Sequence, residues 1–397
     1  MWFSRTSKRV YMDYASATPV APEALSAMRE AEALVGNPGA IHADGVEAAR
    51  ALGDARSILA HELQSKPREI IFTSGLTESD TLAIVGFARS LERTRRTLHG
   101  THWVVSTIEH PSVLQSFAEV ERMGGVVTHV KPNAHGIITA ESVRVALRPE
   151  TVFVSVGWAN SEIGTIAPLR EIARVIADHE RRHSAVLFHT DAGQVPLYLH
   201  PHVHTLGVDL MSLGSNKLHG PHGIGALYVG TKALEMLSSV LFGGGQEKGL
   251  RPGTENVALA TGFAHAVKVI ASRRKEEADR LSKLRDQLKK SIESVWEGTI
   301  VNGTQVLPHI LNVSFPGVSG EYLTLALDSR GVSVATKSAC REGEGSVSHV
   351  VEALLQPSDP SWRSRNTIRF SLGYETTEAD IVRVCTALTE VKHTLPL

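Results

Sequence analysis

Between residues 55 and 260 the sequence alternates short β-rich runs with helical patterns, and this alternation narrows the fold more than any other feature. Glu69-Ile70-Ile71-Phe72-Thr73 predicts a strand, followed by a Ser-Gly turn and a helix through Ala88. Residues 103–106, 126–130, 152–156, 185–189, 209–212 and 224–229 predict further strands, and residues 169–183 a helix between two of them. Strands that alternate with helices imply an α/β fold with a mostly parallel sheet covered on both faces. Such a sheet binds its ligands in the loops at the carboxyl ends of its strands.

After about Thr261 the texture changes. A helix is expected over 262–297, carrying the charge cluster Arg273-Arg274-Lys275-Glu276-Glu277, most simply a solvated face. A strand (310–315), a helix (321–329), a loop around Cys340, a strand (367–372) and a helix from Thr377 follow. The expected organisation is a large domain over 16–260 and a smaller α+β domain over 261–397, joined by the N-terminal arm 1–15. The 397 residues suffice for two cores, and 42% hydrophobic with 21% charged residues is a globular composition.

Other bulk features exclude whole classes. With 41 basic and 42 acidic residues the net charge is -1, so no general attraction to nucleic acid or to an anionic membrane follows. No apolar stretch approaches a membrane span. Residues 1–9 are basic but lead straight into Val10-Tyr11-Met12-Asp13, so no secretory signal is read. Cys340 and Cys385 could form at most one bridge, and a reducing cytoplasm fits.

Five segments carry candidate chemistry. Thr73-Ser74-Gly75-Leu76-Thr77-Glu78 opens a helix after a strand, which suits an anion at free backbone N–H groups or an ordinary cap by Ser74 or Thr77. Asp191 follows a buried strand, where a carboxylate is costly unless a cation pairs with it; a protonated pyridine nitrogen would serve, and an N-cap aspartate is the alternative. Lys217, after a strand end and before Gly220-Pro221, suits a Schiff-base lysine, although any single lysine is more often a surface residue. The loop from Gly243 through Arg251-Pro252-Gly253-Thr254 lacks a dinucleotide fingerprint. In Lys337-Ser338-Ala339-Cys340-Arg341 the flanking cations favour a thiolate. His200, His202 and His204 alternate, but Pro201 and the lack of a completing ligand favour a polar loop over a metal site.

In this order, from Tyr11-Met12-Asp13-Tyr14-Ala15 to Ile368-Arg369-Phe370-Ser371, these segments resemble the cysteine desulfurases of the NifS/IscS type, in the class V branch of fold-type I pyridoxal-phosphate enzymes. The resemblance implies pyridoxal 5'-phosphate as cofactor, L-cysteine as substrate, a homodimer, and a sulfur-acceptor or scaffold protein as partner in iron–sulfur cluster assembly or cofactor thiolation. It implies that Lys217 holds the cofactor and acts as base at Cα, that Asp191 pairs with the pyridine nitrogen, and that His110 stacks on the ring and shuttles protons. Gly75, Leu76 and Thr77 hold the phosphate, with Thr254 reaching it from a second subunit. Gln194 contacts the ring hydroxyl, Arg369 grips the substrate carboxylate as a fork, and Cys340 takes the sulfur as a persulfide.

Three positions depart from the family pattern. Ser161 stands where a second asparagine usually meets the ring hydroxyl. Gly214-Ser215-Asn216 replaces a Ser-Gly-His triplet beside the cofactor, and Lys337 replaces a glycine ahead of the nucleophile. Selenocysteine lyase, another class V lyase or transaminase, and a non-catalytic scaffold of the same fold are the alternative readings.

Overall fold

A computed structural model of the chain describes residues 9–336 and 347–395. Cys340, with its neighbours Lys337 and Arg341, lies outside the described residues. The arm forms strand β1 (Val10–Tyr11), followed by helices α1 (Pro22–Ala31) and α2 (Ala43–Leu63). The large sheet takes β2 (Ile70–Thr73), β3 (His102–Ser106), β4 (Val126–Val130), β5 (Thr151–Ser155), β6 (Leu187–Asp191), β7 (Leu210–Gly214) and β8 (Gly225–Val229). Between them run α3 (Leu76–Arg95), α4 (Pro111–Arg122), α5 (Ala140–Ala146), α6 (Leu169–Glu180) and the single turn α7 (Val203–Leu206). After β8 come α8 (Thr231–Leu234) and the long α9 (Val257–Val295).

Strand order in the large sheet is β2-β8-β7-β6-β5-β3-β4. β4, β3, β5, β6 and β7 pair in parallel, while β8 runs against both β7 and β2. The parallel strands β3, β5 and β7 are buried along their whole length, which is why they read as largely apolar runs without a regular polar alternation. Phe87, Trp103, Phe117 and Phe153 pack ring on ring between α3, α4 and the sheet, with Phe87–Trp103 and Trp103–Phe153 centroids 5.4 and 5.1 Å apart. This aromatic layer fixes the two helices whose N-termini reach the site.

The remainder comprises β9 (Ile300–Asn302), β10 (Ile310–Ser314), α10 (Gly320–Asp328), β11 (Val332–Ser333), α11 (His349–Glu352), β12 (Thr367–Ser371) and α12 (Glu378–Thr394). β12, β10 and β9 form an antiparallel sheet, and β1 pairs in parallel with β11. α9, roughly 60 Å long at the usual rise per residue, crosses residue 261 without a break and packs on α1, α2 and α12.

One expectation about this helix needs correction. Within the cluster predicted to be solvated, Arg274 is only 4% exposed: its guanidinium bonds Glu62, the Pro196 carbonyl (2.9 Å) and His200 Nδ1 (3.1 Å). Those partners, distant in sequence, offset the desolvation that would otherwise keep the charge in water. They also account for His200, one of the three alternating histidines. No group of metal-ligating residues is found among the described residues, and no described helix is long and apolar enough to cross a membrane.

Candidate active site

The carboxyl ends of β2, β3, β5, β6 and β7 open on one cavity of about 400 Å³. Gly75, Leu76 and Thr77 line it where β2 turns into α3. Gly75 is the N-cap and supplies no side-chain capping bond, and neither Ser74 nor Thr77 caps the helix. First-turn N–H groups that no helix satisfies internally are therefore presented to the cavity, together with the positive end of the helix dipole.

Asp191 closes β6 and its carboxylate accepts from the Gly193 N–H at 2.8 Å. Burial pushes the carboxyl above its ordinary range, opposed by that hydrogen bond and by the charge of Lys217. Lys217 follows β7, and its Nζ donates to the carbonyls of Ala15 (3.0 Å) and Ser16 (2.5 Å). Gln194 donates to the same Ala15 carbonyl (2.8 Å), and its amide oxygen meets His309 Nε2 (3.3 Å). His110, at the N-terminus of α4, is pushed down to about 4 by burial, with the charge of Lys217 adding to the effect, so its imidazole is neutral near pH 7.

Arg369 on β12 enters from the other sheet, 1% exposed. It donates to the Ser161 carbonyl (2.9 Å), to Asp13 (2.7 Å) and to Ser16 Oγ (2.6 Å). Its Nε is buried without a hydrogen bond among the described residues, a donor that suits a carboxylate.

The cavity thus gathers Gly75, Leu76, Thr77, His110, Ser161, Asp191, Gln194, Asn216, Lys217 and Arg369. Two expected residues stand apart. Gly214 does not line the cavity but lies under Leu76, whose Cβ would sit 3.0 Å from an added methyl. Thr254 is exposed on its loop, away from the cavity of its own chain. That loop is pinned by Glu247, which accepts from Arg56 (2.5 and 2.7 Å) and from the Phe72 N–H (2.9 Å).

Sequence reasoning missed the arm carbonyls that hold Lys217, because backbone acceptors carry no side-chain signal, and the Asp13–Arg369 pair, because its members lie 356 residues apart. It also assigned nothing to Glu109. This residue borders the cavity, accepts from the Gly157 N–H at 2.8 Å, and is pushed up to about 7 by burial. The folded state therefore keeps a proton that the unfolded chain releases near its ordinary value of 4.5, so stability falls as pH rises from about 4.5 through about 7. Glu109→Gln keeps the acceptor for Gly157 and removes this penalty. It raises stability by up to about 3 kcal/mol at pH 8 and changes it little at pH 4, as thermal unfolding at the two pH values will show.

A half-buried lysine and a desolvated carboxylate at adjacent strand ends, beside an open helix N-terminus, define a fold-type I pyridoxal-phosphate enzyme. A solved NifS-like protein superposes with a TM-score of 0.87 at 29% identity, over 98% of this chain and all of that one. The chain belongs to the class-V aminotransferase family, which matches residues 10–384. The cysteine desulfurase IscS of Dictyoglomus turgidum is 37% identical over 94% of this chain and 92% of its own length. The cysteine desulfurase IscS of Stutzerimonas stutzeri is 37% identical over 98% and 95%. SspA, solved in complex with cysteine, superposes with a TM-score of 0.79 at 33% identity, over 91% of this chain and 98% of that one.

Proposed function

We propose that this chain is a cysteine desulfurase that converts L-cysteine to L-alanine and leaves the sulfur on Cys340. The observation that carries the reading is the convergence of Lys217, Asp191, His110, the open α3 N-terminus and the unpartnered Arg369 Nε on one cavity. Relatives named cysteine desulfurase over nearly the full length support it.

The residues fit the cofactor: an open helix N-terminus suits its phosphate, and a buried carboxylate suits its pyridinium nitrogen. Pyridoxal 5'-phosphate, when bound, supplies an electron sink for the pair left at the substrate Cα. Arg369 orients the substrate through its carboxylate. Lys217 takes the Cα proton, and its hold on the Ala15 and Ser16 carbonyls fixes where the amine stands. Neutral His110 accepts or returns a proton beside it. The Cys340 thiolate attacks the substrate sulfur, the Cβ–S bond breaks, and protons delivered to Cβ and Cα complete alanine. Cysteine and the enzyme thiol thereby become alanine and an enzyme persulfide, in atom balance.

Described residues on either side of Cys340 in sequence reach the site. Ala335 bridges to Arg369, and His349 and Val350 line the cavity. Cys340 follows Ala335 by five residues in sequence, and five residues of any chain reach at most roughly 17 Å. Alanine formed from L-cysteine by the cofactor-loaded protein tests the reading, and a protein that forms none overturns it.

Residues 16–260 form the cofactor-binding domain in this reading, with 261–397 and the arm as the smaller one. The protein works as a homodimer in a reducing cytoplasm and hands its sulfur to an acceptor or scaffold protein. Exposed Thr254, on a loop pinned through Glu247, is the group offered to the neighbour's phosphate, while Ser161 and Asn216 serve the cofactor of their own cavity, Ser161 at its ring hydroxyl and Asn216 near its phosphate. Sedimentation is expected to show a dimer, and a monomer with full activity rules the shared site out.

A further inference from the structure

Where α3 and α4 cross, Asp80 in the second turn of α3 meets Ser112 in the first turn of α4. Asp80 Oδ2 lies 2.6 Å from Ser112 Oγ, and Ser112 Oγ lies 2.7 Å from His110 Nδ1. The backbone N–H of Ser112 donates to the same Nδ1 at 3.2 Å. An N–H can only donate, so Nδ1 offers a lone pair and the ring proton of neutral His110 sits on Nε2. The Ser112 hydroxyl must then also give its one proton to Nδ1, because two lone pairs at that distance repel. With that proton committed, the short contact to Asp80 needs a proton from Asp80 itself.

We propose that Asp80 is a carboxylic acid that positions His110, acting through Ser112 to hold the imidazole with Nδ1 as acceptor and its proton on Nε2. The surroundings agree. Asp80 is fully buried, and burial raises its carboxyl well above the ordinary range, with the charges of Asp191 and Glu109 adding and the contacts with the Ser112 and Ser212 hydroxyls opposing. His189 Nε2 is 3.7 Å from Asp80 Oδ1 but provides no countercharge. Burial pushes His189 down to about 3, and its two nitrogens meet Ser155 Oγ (2.8 Å) and Ser212 Oγ (3.0 Å). A neutral Asp80 also leaves Asp191 as the carboxylate that meets a cation, without a second anion beside it.

The inference rests on the reading of His110 as the residue that handles protons beside the substrate, and it deepens that reading by naming what fixes its tautomer. In cofactor-loaded protein carrying isotope-labelled histidine, with His110→Asn locating the signal, nitrogen NMR is expected to show an unprotonated Nδ1 and a protonated Nε2. Asp80→Asn supplies a neutral donor of the same shape and keeps this tautomer. Asp80→Ala removes the donor and frees the Ser112 oxygen to accept a proton from Nδ1 in place of giving one, which admits the second tautomer against the Ser112 N–H alone and lowers kcat about tenfold, the scale seen when the orienting partner of a metal-bound histidine is lost. A protonated Nδ1 in the parent overturns the proposal even if no Asp80 variant folds. An Asp80→Ala protein that is merely less stable, with its His110 tautomer unmoved, overturns it too. The tautomer is read without turnover, so a parent that forms no alanine would count against the desulfurase reading alone.

Discussion

Cys340→Ser is expected to keep its cofactor and lose sulfur transfer. Cofactor retention and sulfur transfer draw on different groups: Lys217, Asp191 and the α3 N-terminus line the cavity that takes the cofactor in this reading, whereas the Cys340 thiol supplies the nucleophile. Cysteine still enters the variant, because Arg369 with its Asp13, Ser16 and Ser161 partners is untouched, and a spectral change on adding cysteine reports this. Alanine formation falls on the order of ten-thousandfold or more, the scale on which loss of a nucleophile acts in a catalytic unit, since a serine hydroxyl is a far poorer nucleophile than a thiolate near pH 7. In the parent, a limiting alkylating reagent modifies Cys340 before Cys385. Cys385 is half-buried in α12, and burial raises its thiol, whereas Lys337 and Arg341 flank Cys340. Turnover like the parent's in the serine variant would falsify the assignment of Cys340.

Lys217→Ala is expected to abolish both the lysyl adduct that borohydride traps in the parent and measurable turnover. Removing a positioned base alone costs roughly 10²–10⁴ in rate, and here the same amine also anchors the cofactor. The fold survives the change, because the amine's two arm contacts are to the backbone carbonyls of Ala15 and Ser16, and the arm keeps its own pairing of β1 with β11. Peptide mapping after reduction decides the matter: an adduct on another lysine of the variant means that Lys217 is the wrong residue. The phosphate end of the site depends on the first turn of α3 and not on Lys217, so weakened, non-covalent cofactor binding accompanies the loss of the adduct.

Much of this protein was legible before any coordinates. Strands that alternate with helices are what a mostly parallel sheet demands, and residues 126–130 form a strand with the predicted ends. Asp191 stood out because a carboxylate is costly to bury at a strand end without a partner, Lys217 because it follows a strand end amid small residues before Gly220-Pro221, and both line the cavity. The direction of β8 was not read. The ten residues between β7 and β8 are too few for a parallel crossover, so the strand returns antiparallel.

The partnerships between distant polar groups were decided by tertiary structure alone. Arg369 meets Asp13 across 356 residues, Arg274 meets Glu62 across 212, and Asp80 meets Ser112 across a helix crossing. Periodicity records which face of an element is apolar, but not which polar atom of another element will come to lie against it. The carbonyls of Ala15 and Ser16 that hold Lys217 leave no trace in the sequence, because every residue carries the same acceptor. The sequence by itself determined the layered α/β architecture and the residue types at the strand ends, since burial periodicity and the cost of burying charge act locally. Packing of the arm, α3 and α4 around the sheet decided which of those groups share a proton, and burial among like charges decided which of them keep one.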